Sequence, residues 1–420
     1  MKILIALLIL STNLAHAKLW EANNTWNMKW EQKYSEWISS GSVHPEMFSS
    51  TNSPYYGAWL DCADASYALR AIFSFENSLP FAVENKDGAR RSNDLLISNE
   101  SKKFDKTKNL NKKIVRLLNF IGESVGTESL SKNDTFPIKL NSIKPGDLFL
   151  YKIKRRFGKT IRHSYNIKDI NFEGTFQAIY STQAIAKEKA PMTYRKHKMF
   201  SNLPFGNWGF RRFKWPRLIG VNYQDYPEEI GFSNEQYELA SKMKTDEFFK
   251  YVRDLIKKGD LDLEQDVKLR FNSLCEEAQS RVKYVDDAIA HMNKYGSKCM
   301  NYENYDAYST PARDTQLLNV YKSFENYYDS LVSSGDLEKL SSRMKNFLNE
   351  IYGDVDSSDN SLLAACPINY KAGTRISLKT LLERFEGGRV SSHPNDSLEV
   401  RWGERGSRTN CKVWYQPMFE

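Results

Sequence analysis

The sequence predicts an α+β protein in two parts: a sheet-containing region up to about residue 230, then a mostly helical one. Three observations carry this. Residues 143–185 hold three strand-like runs, Asp147–Ile153, His163–Ile170 and Thr175–Thr182, each bounded by Gly or charged turns. From Ser233 onward apolar residues recur at helical spacing. The chain has 420 residues, 40% of them hydrophobic, which suffices for two cores at roughly 100–200 residues per domain. Aromatics at 13% exclude a disordered or low-complexity chain, and no internal repeat indicates a solenoid.

The first element reads as an export signal. Lys2 precedes the apolar run Ile3–Leu10, and Ala15-His16-Ala17 is a small-x-small cleavage site. The run is too short to span a bilayer, which takes about 20 residues. The expected mature chain starts at Lys18 and is exported, to the periplasm or outside the cell, with no transmembrane anchor. Trp26, Trp30, Tyr34 and Trp37 then mark one face of a helix packed on the core. Residues 84–112 are polar and read as a surface loop.

In the second part, Ser233-Asn-Glu-Gln236 and Asp262-Leu-Glu-Gln265 resemble helix-start capping boxes. A long helix follows with Phe271, Leu274, Ala278, Val282, Val285, Ile289 and Met292 on one stripe. Pro311 suits the first turn of the next helix, which runs to Gly335. A further helix covers about 337–352 and a short one about 378–385. The loop Tyr308-Ser-Thr-Pro-Ala-Arg-Asp314 needs no chemistry beyond that helix start.

Four of the five cysteines, Cys275, Cys299, Cys366 and Cys411, lie in the helical part, as suits two disulfides in an exported domain. A continuous helix would hold Cys275 and Cys299 some 30 Å apart, at about 1.5 Å per residue. Both should therefore pair with Cys366 and Cys411, in an order the sequence leaves open. Cys62 is left over. It falls at the start of a helix, with Ala65, Leu69, Ile72 and Phe73 at helical spacing. Helix-start N–H groups stabilise a thiolate, whereas Asp61 and Asp64 oppose it, so a cationic partner is needed.

Lys144-Pro-Gly-Asp147 is a turn feeding a strand, and His163 opens the next strand. A helix thiol beside a strand imidazole is what nucleophilic acyl transfer requires. At Asp61-Cys62, Pro145-Gly-Asp-Leu148 and His163 the chain resembles the NlpC-type papain-like cysteine peptidases, which cleave cell-wall peptides. The resemblance covers about residues 55–185. It implies a papain-like helix packed on an antiparallel sheet, with Cys62 as nucleophile and His163 as base. A polar residue on the third strand, with Gln177 the best candidate, would orient the imidazole. Ala63 and Asp64 depart from the family's usual Ser and Gly. A transglutaminase-like order of Cys, His, Asp is the competitor, but Asp169 lies on the His strand itself.

Residues 152–217 hold 16 Lys and Arg against three Asp and Glu, a local net of +13, and the rest of the chain carries −5. Lys and Arg interleave with aromatics over Tyr194–Arg217. This stretch reads as a solvated loop over packed aromatics, as a substrate rim, or as a nucleic-acid surface, and export argues against the last. Trp59, Arg162, Trp208, Arg211 and Trp215 are the candidate substrate contacts. No metal or nucleotide motif is present, so no metal or cofactor is expected. The sequence reading is an exported thiol-dependent amide hydrolase, with peptidoglycan peptides as the expected substrate. The alternatives are a transglutaminase-like acyltransferase and a non-catalytic envelope protein on a degenerate peptidase-like fold.

Overall fold

A computed structural model describes residues 18–85, 95–104, 107–153, 160–182, 190–353 and 360–414. Residues 1–17, which carry the expected export signal, lie outside the described residues, as do 86–94 and 105–106 of the expected 84–112 loop.

The fold is α+β. Helix α1 (Met28–Ser39) begins where Asn27 accepts from the Trp30 backbone N–H at 3.1 Å, and α2 (Cys62–Glu76) follows. The predicted aromatic face converges on one residue of α2. The rings of Trp26, Trp30, Tyr34 and Trp37 lie 5.9, 6.4, 5.2 and 5.6 Å from Phe73. A small hairpin, β1 (Ala82–Glu84) with β2 (Leu96–Ser98), occupies part of the expected loop, followed by α3 (Leu110–Ser124) and the single turn α4 (Thr127–Ser129).

The main sheet has six antiparallel strands in the order β3-β8-β4-β5-β6-β7. They are β3 (Thr135–Pro137), β4 (Leu148–Ile153), β5 (Ile161–Ile170), β6 (Phe176–Tyr180), β7 (Thr193–Lys198) and β8 (Gly209–Phe213). The three expected strands are β4, β5 and β6. The basic aromatic stretch supplies β7 and β8 as well, because its charges are satisfied internally. Arg212 forms a two-pronged pair with Asp147 at 2.7 and 2.8 Å, which also pins the Pro-Gly-Asp turn. Arg211 donates to the Thr135 side chain and carbonyl, both at 2.7 Å.

The first core continues past residue 230. Helices α5 (Glu235–Ala240) and α6 (Thr245–Ile256) belong to it. Gln236 bonds both the N–H and the carbonyl of Phe210, at 2.8 and 2.9 Å. Phe249 joins a ring layer with Phe149, Phe200 and Phe210, in which Phe149 and Phe200 stack at 4.0 Å. The second core begins at Val267, so the division falls between Ile256 and Leu263.

The second part holds α7 (Leu263–Tyr295), α8 (Tyr302–Tyr308), α9 (Pro311–Ser334), α10 (Ser342–Tyr352), α11 (Asn360–Ala365), α12 (Leu378–Glu386) and α13 (Leu398–Arg401). A hairpin of β9 (Ile368–Lys371) and β10 (Thr374–Ile376) interrupts them. The capping box at Asp262 opens α7, and Gly335 closes α9 in the left-handed conformation, as expected from the sequence. Asn234, not Ser233, caps α5, and no side-chain cap bond forms there. The disulfides join Cys275 to Cys366 and Cys299 to Cys411. The two parts meet where β7 docks on α7: the Arg195 guanidinium donates to the Glu276 carbonyl at 3.0 Å, and Lys198 pairs with Glu277. Arg253 of α6 pairs with Asp266 of α7 at 3.1 Å. Much of the local positive charge is thus spent inside the sheet and on this seam.

Candidate functional site

Cys62 is the first residue of α2, as its sequence position requires. Asp61 accepts from the N–H groups of Ala63 and Asp64 at 2.8 and 3.0 Å, and the Asp64 carboxylate accepts from the Asp61 N–H at 3.0 Å. This reciprocal box fixes the helix start. Gly122 of α3 leaves room for it, since a Cβ there would lie 2.7 Å from the Asp64 carboxyl carbon. The Cys62 carbonyl accepts from the Ser164 hydroxyl of β5 at 2.7 Å, tying the helix to the sheet.

Cys62 is the only free cysteine and is buried. Its sulfur lies 3.6 Å from Thr127 Oγ1 and 4.0 Å from the Arg162 carbonyl oxygen. Burial pushes its thiol up to about 12. The Asp61 carboxylate adds to that rise, while the hydrogen bonds with Thr127 and Ser164 oppose it. The sequence expectation of a stabilised thiolate is therefore reversed in the resting site. The helix start is too far inside the protein, and its cap is acidic.

His163 sits on β5 opposite Tyr151 of β4. Alternation along β5 gives Ser164 to the α2 side of the sheet and His163 to the other, with Tyr151, Tyr165 and Tyr180. The three rings lie 5.7, 4.6 and 5.2 Å from the imidazole. Burial pushes His163 down to about 3, and the charges of Arg313 and Lys198 push the same way. The imidazole is neutral at ordinary pH.

Cys62 and His163 line one cavity of about 260 Å³. No hydrogen bond joins the thiol to the imidazole, and among the described residues no carboxylate or amide is bonded to the His163 ring. Gln177 lies outside the cavity lining: it donates to Asn171 at 2.8 Å and accepts from Tyr194. Held there, it does not orient the imidazole. Asp169 is also outside the lining and accepts from the neighbouring Ile170 N–H.

Of the expected substrate contacts, Arg162 alone lines the cavity, where it pairs with Glu128. The Trp59 N–H bonds Asn119 at 3.1 Å, and Trp59 is not part of the lining. Trp208, Arg211 and Trp215 are buried in the sheet core, Trp215 donating to Glu31 at 2.7 Å, so none of them can form a rim. The opposite wall comes instead from β7 and the helical half: Arg195, Glu277, Tyr284, Arg313 and Gln316. These were missed because they lie 133 to 254 residues from Cys62. The segment Tyr308–Asp314, which contains Arg313, was explained in the sequence as a helix start alone.

Burial acts to raise the Tyr284 phenol, but the guanidinium groups of Arg313 and Arg195 outweigh it and bring it below its ordinary value. No group of His, Cys, Asp and Glu among the described residues could hold a metal ion. No helix among them is long and apolar enough to cross a membrane.

No family model, curated protein or solved structure matches the chain.

Proposed function

We propose that the protein is an exported thiol-dependent hydrolase of amide bonds, with cell-wall peptides as the substrate class. The observation that carries this is the shared cavity: the sole free thiol, at a helix start, and a neutral imidazole on a sheet strand open onto the same space. The short NlpC-type motifs at Asp61-Cys62, Pro145-Gly-Asp-Leu148 and His163 support the same reading, as do the two disulfides, which suit an oxidising compartment.

In this reading His163 takes the proton from Cys62 as sulfur attacks the carbonyl carbon. A C–S bond forms, the amide C–N bond breaks, and the proton passes to the leaving amine. Water then adds its hydroxyl to the acyl carbon, the C–S bond breaks, and the remaining proton of the water returns to sulfur through His163. Burial holds the thiol protonated and the imidazole neutral in the resting site, which opposes this transfer, so the proton must move as the C–S bond forms.

The experiment is digestion of purified sacculi, followed by analysis of released peptides and new amino groups. The wild type should release both. Cys62→Ala and His163→Gln should each lower the rate by about 10²-fold or more, with circular dichroism unchanged. Unchanged rates in the variants would refute the roles given to both residues.

The absence of a hydrogen bond between thiol and imidazole favours a second reading, an envelope binding protein without turnover. Release of no product by the wild type would select it.

A further inference from the structure

The wall of the cavity opposite Cys62 is built by the start of α9. Pro311, Ala312 and Arg313, the first three residues of this 24-residue helix, all line the cavity. The first N–H groups of a helix have no partner within it, and they carry partial positive charge. Pro311 has no N–H, so the open donors are those of Ala312 and Arg313, and no side chain among the described residues caps them. Thr310, the residue at the cap position, turns its hydroxyl to donate to Asp314 at 2.8 Å. Asp314 is itself held on the inner side by Arg281 at 2.8 Å.

Two further observations point to a ligand at this helix start. Gln316 is 5% exposed and lines the cavity, and its Nε2 has no hydrogen-bond partner among the described residues, while its Oε1 accepts from Ser201 at 3.2 Å. Arg195 is 8% exposed and lines the same cavity, and its Nε likewise has none. Buried donors left without acceptors are costly unless something fills the role.

Arg313 adds the charge. Its guanidinium lies 3.6 Å from the Tyr284 ring centre and donates to the Ser309 carbonyl at 3.3 Å. No carboxylate among the described residues pairs with it. The acids on the lining are already engaged: Glu277 by Lys198, Asp61 by the start of α2, and Asp306 by contacts of its own. The wall therefore offers several donors and two guanidinium groups, Arg313 and Arg195, that form no ion pair with a carboxylate among the described residues.

We propose that this wall binds the carboxylate of a peptide-like ligand, held by the α9 start and Arg313, with Gln316 Nε2 and Arg195 Nε as further donors. A planar carboxylate matches the fork of a guanidinium. The cavity, about 260 Å³, has room for a peptide end and not for a folded partner. Combined with the amide-hydrolase reading, on which this part alone rests, the site selects substrates with a free carboxylate close to the bond attacked by Cys62.

The test is calorimetric titration of the full-length Cys62→Ser protein with acetyl-alanyl-alanine, its C-terminal carboxamide, and inorganic phosphate. The acid should bind saturably. The amide should bind at least about tenfold more weakly, as should the acid to Arg313→Gln, and Gln316→Met should weaken it several-fold. Equal binding of acid and amide, binding of phosphate as tight as the acid, or no binding of the acid at millimolar concentration would overturn the proposal. The acid–amide comparison needs no further variant, so it stands even if Arg313→Gln fails to fold. If the acid binds but the wild type cleaves nothing, the hydrolase reading fails and the carboxylate site survives. If cleavage occurs with no preference for a free carboxylate, the reverse holds.

Discussion

The sheet half and the helical half each bury an arginine–carboxylate pair, but only the helical half adds covalent crosslinks. In the sheet half Arg70 pairs with Glu31, lies 3.4 Å over the Trp26 ring, and shares Glu31 with the Trp215 indole. Its apolar residues form one continuous cluster from Leu19 to Val252. In the helical half Arg281 pairs with Asp314 at 2.8 Å, but the apolar residues split into two clusters. Cys275 and Cys366 are both part of the larger cluster, and Cys299 directly precedes Met300 of the smaller one. Buried pairs cost desolvation and add little net stability by themselves. The difference therefore lies in apolar burial, and crosslinks are found where burial is divided.

The largest expected effect tests this directly. Cys275→Ser with Cys366→Ser opens a crosslink spanning 91 residues. In the chain-entropy account that should cost about 4 kcal/mol. Denaturant unfolding should show the loss in the helical half, with the Trp-rich sheet half little changed. An equal loss in both halves would mean that they unfold as one unit.

A smaller effect lies at the seam. His163 is held near 3 against 6.5 ordinarily, by burial and by Arg313 and Lys198. Between those values the native state binds fewer protons than the unfolded chain. The contribution of a neutral His163 is thus complete above about pH 6.5 and is lost as pH falls toward 3. His163 is partly open to the cavity, so roughly 2 kcal/mol of acid-side loss is expected, and His163→Gln should remove it from a pH series of unfolding curves. Arg313→Gln should remove part of the same loss from the other half. A pH profile identical to wild type in both variants would show that the halves do not share this site.

The smallest effect separates the halves once more. Asn27→Ala removes the cap of α1 and Ser341→Ala that of α10, each worth about 1 kcal/mol. Thermal unfolding should report each in its own half.

Much of the scaffold was legible in the sequence. Cys62 at a helix start followed from Ala65, Leu69, Ile72 and Phe73 at helical spacing after it. Strands β4, β5 and β6 followed from turns and alternation, and the exclusion of a Cys275–Cys299 bridge from helix length alone. Strands β7 and β8 did not show, because all five residues Gly209–Phe213 are buried, two of them arginines. Charge reads as surface in a sequence, yet Arg211 and Arg212 are neutralised or bonded inside. The division near 230 was early for a related reason: α5 and α6 have helical periodicity but pack on the sheet. The second wall of the site was illegible because only tertiary docking brings Arg313 to His163.

Gly122 has a consequence for how the thiol is held. A helix start that must keep two carboxyl groups at a fixed spacing works like a machined fit, and the missing side chain on α3 is its clearance. Alanine there would leave no gap, since its Cβ would lie 2.7 Å from the Asp64 carboxyl. The displaced part would be the first turn of α2. The aim of Cys62 is thus set partly by an atom that α3 does not have, sixty residues further along the chain.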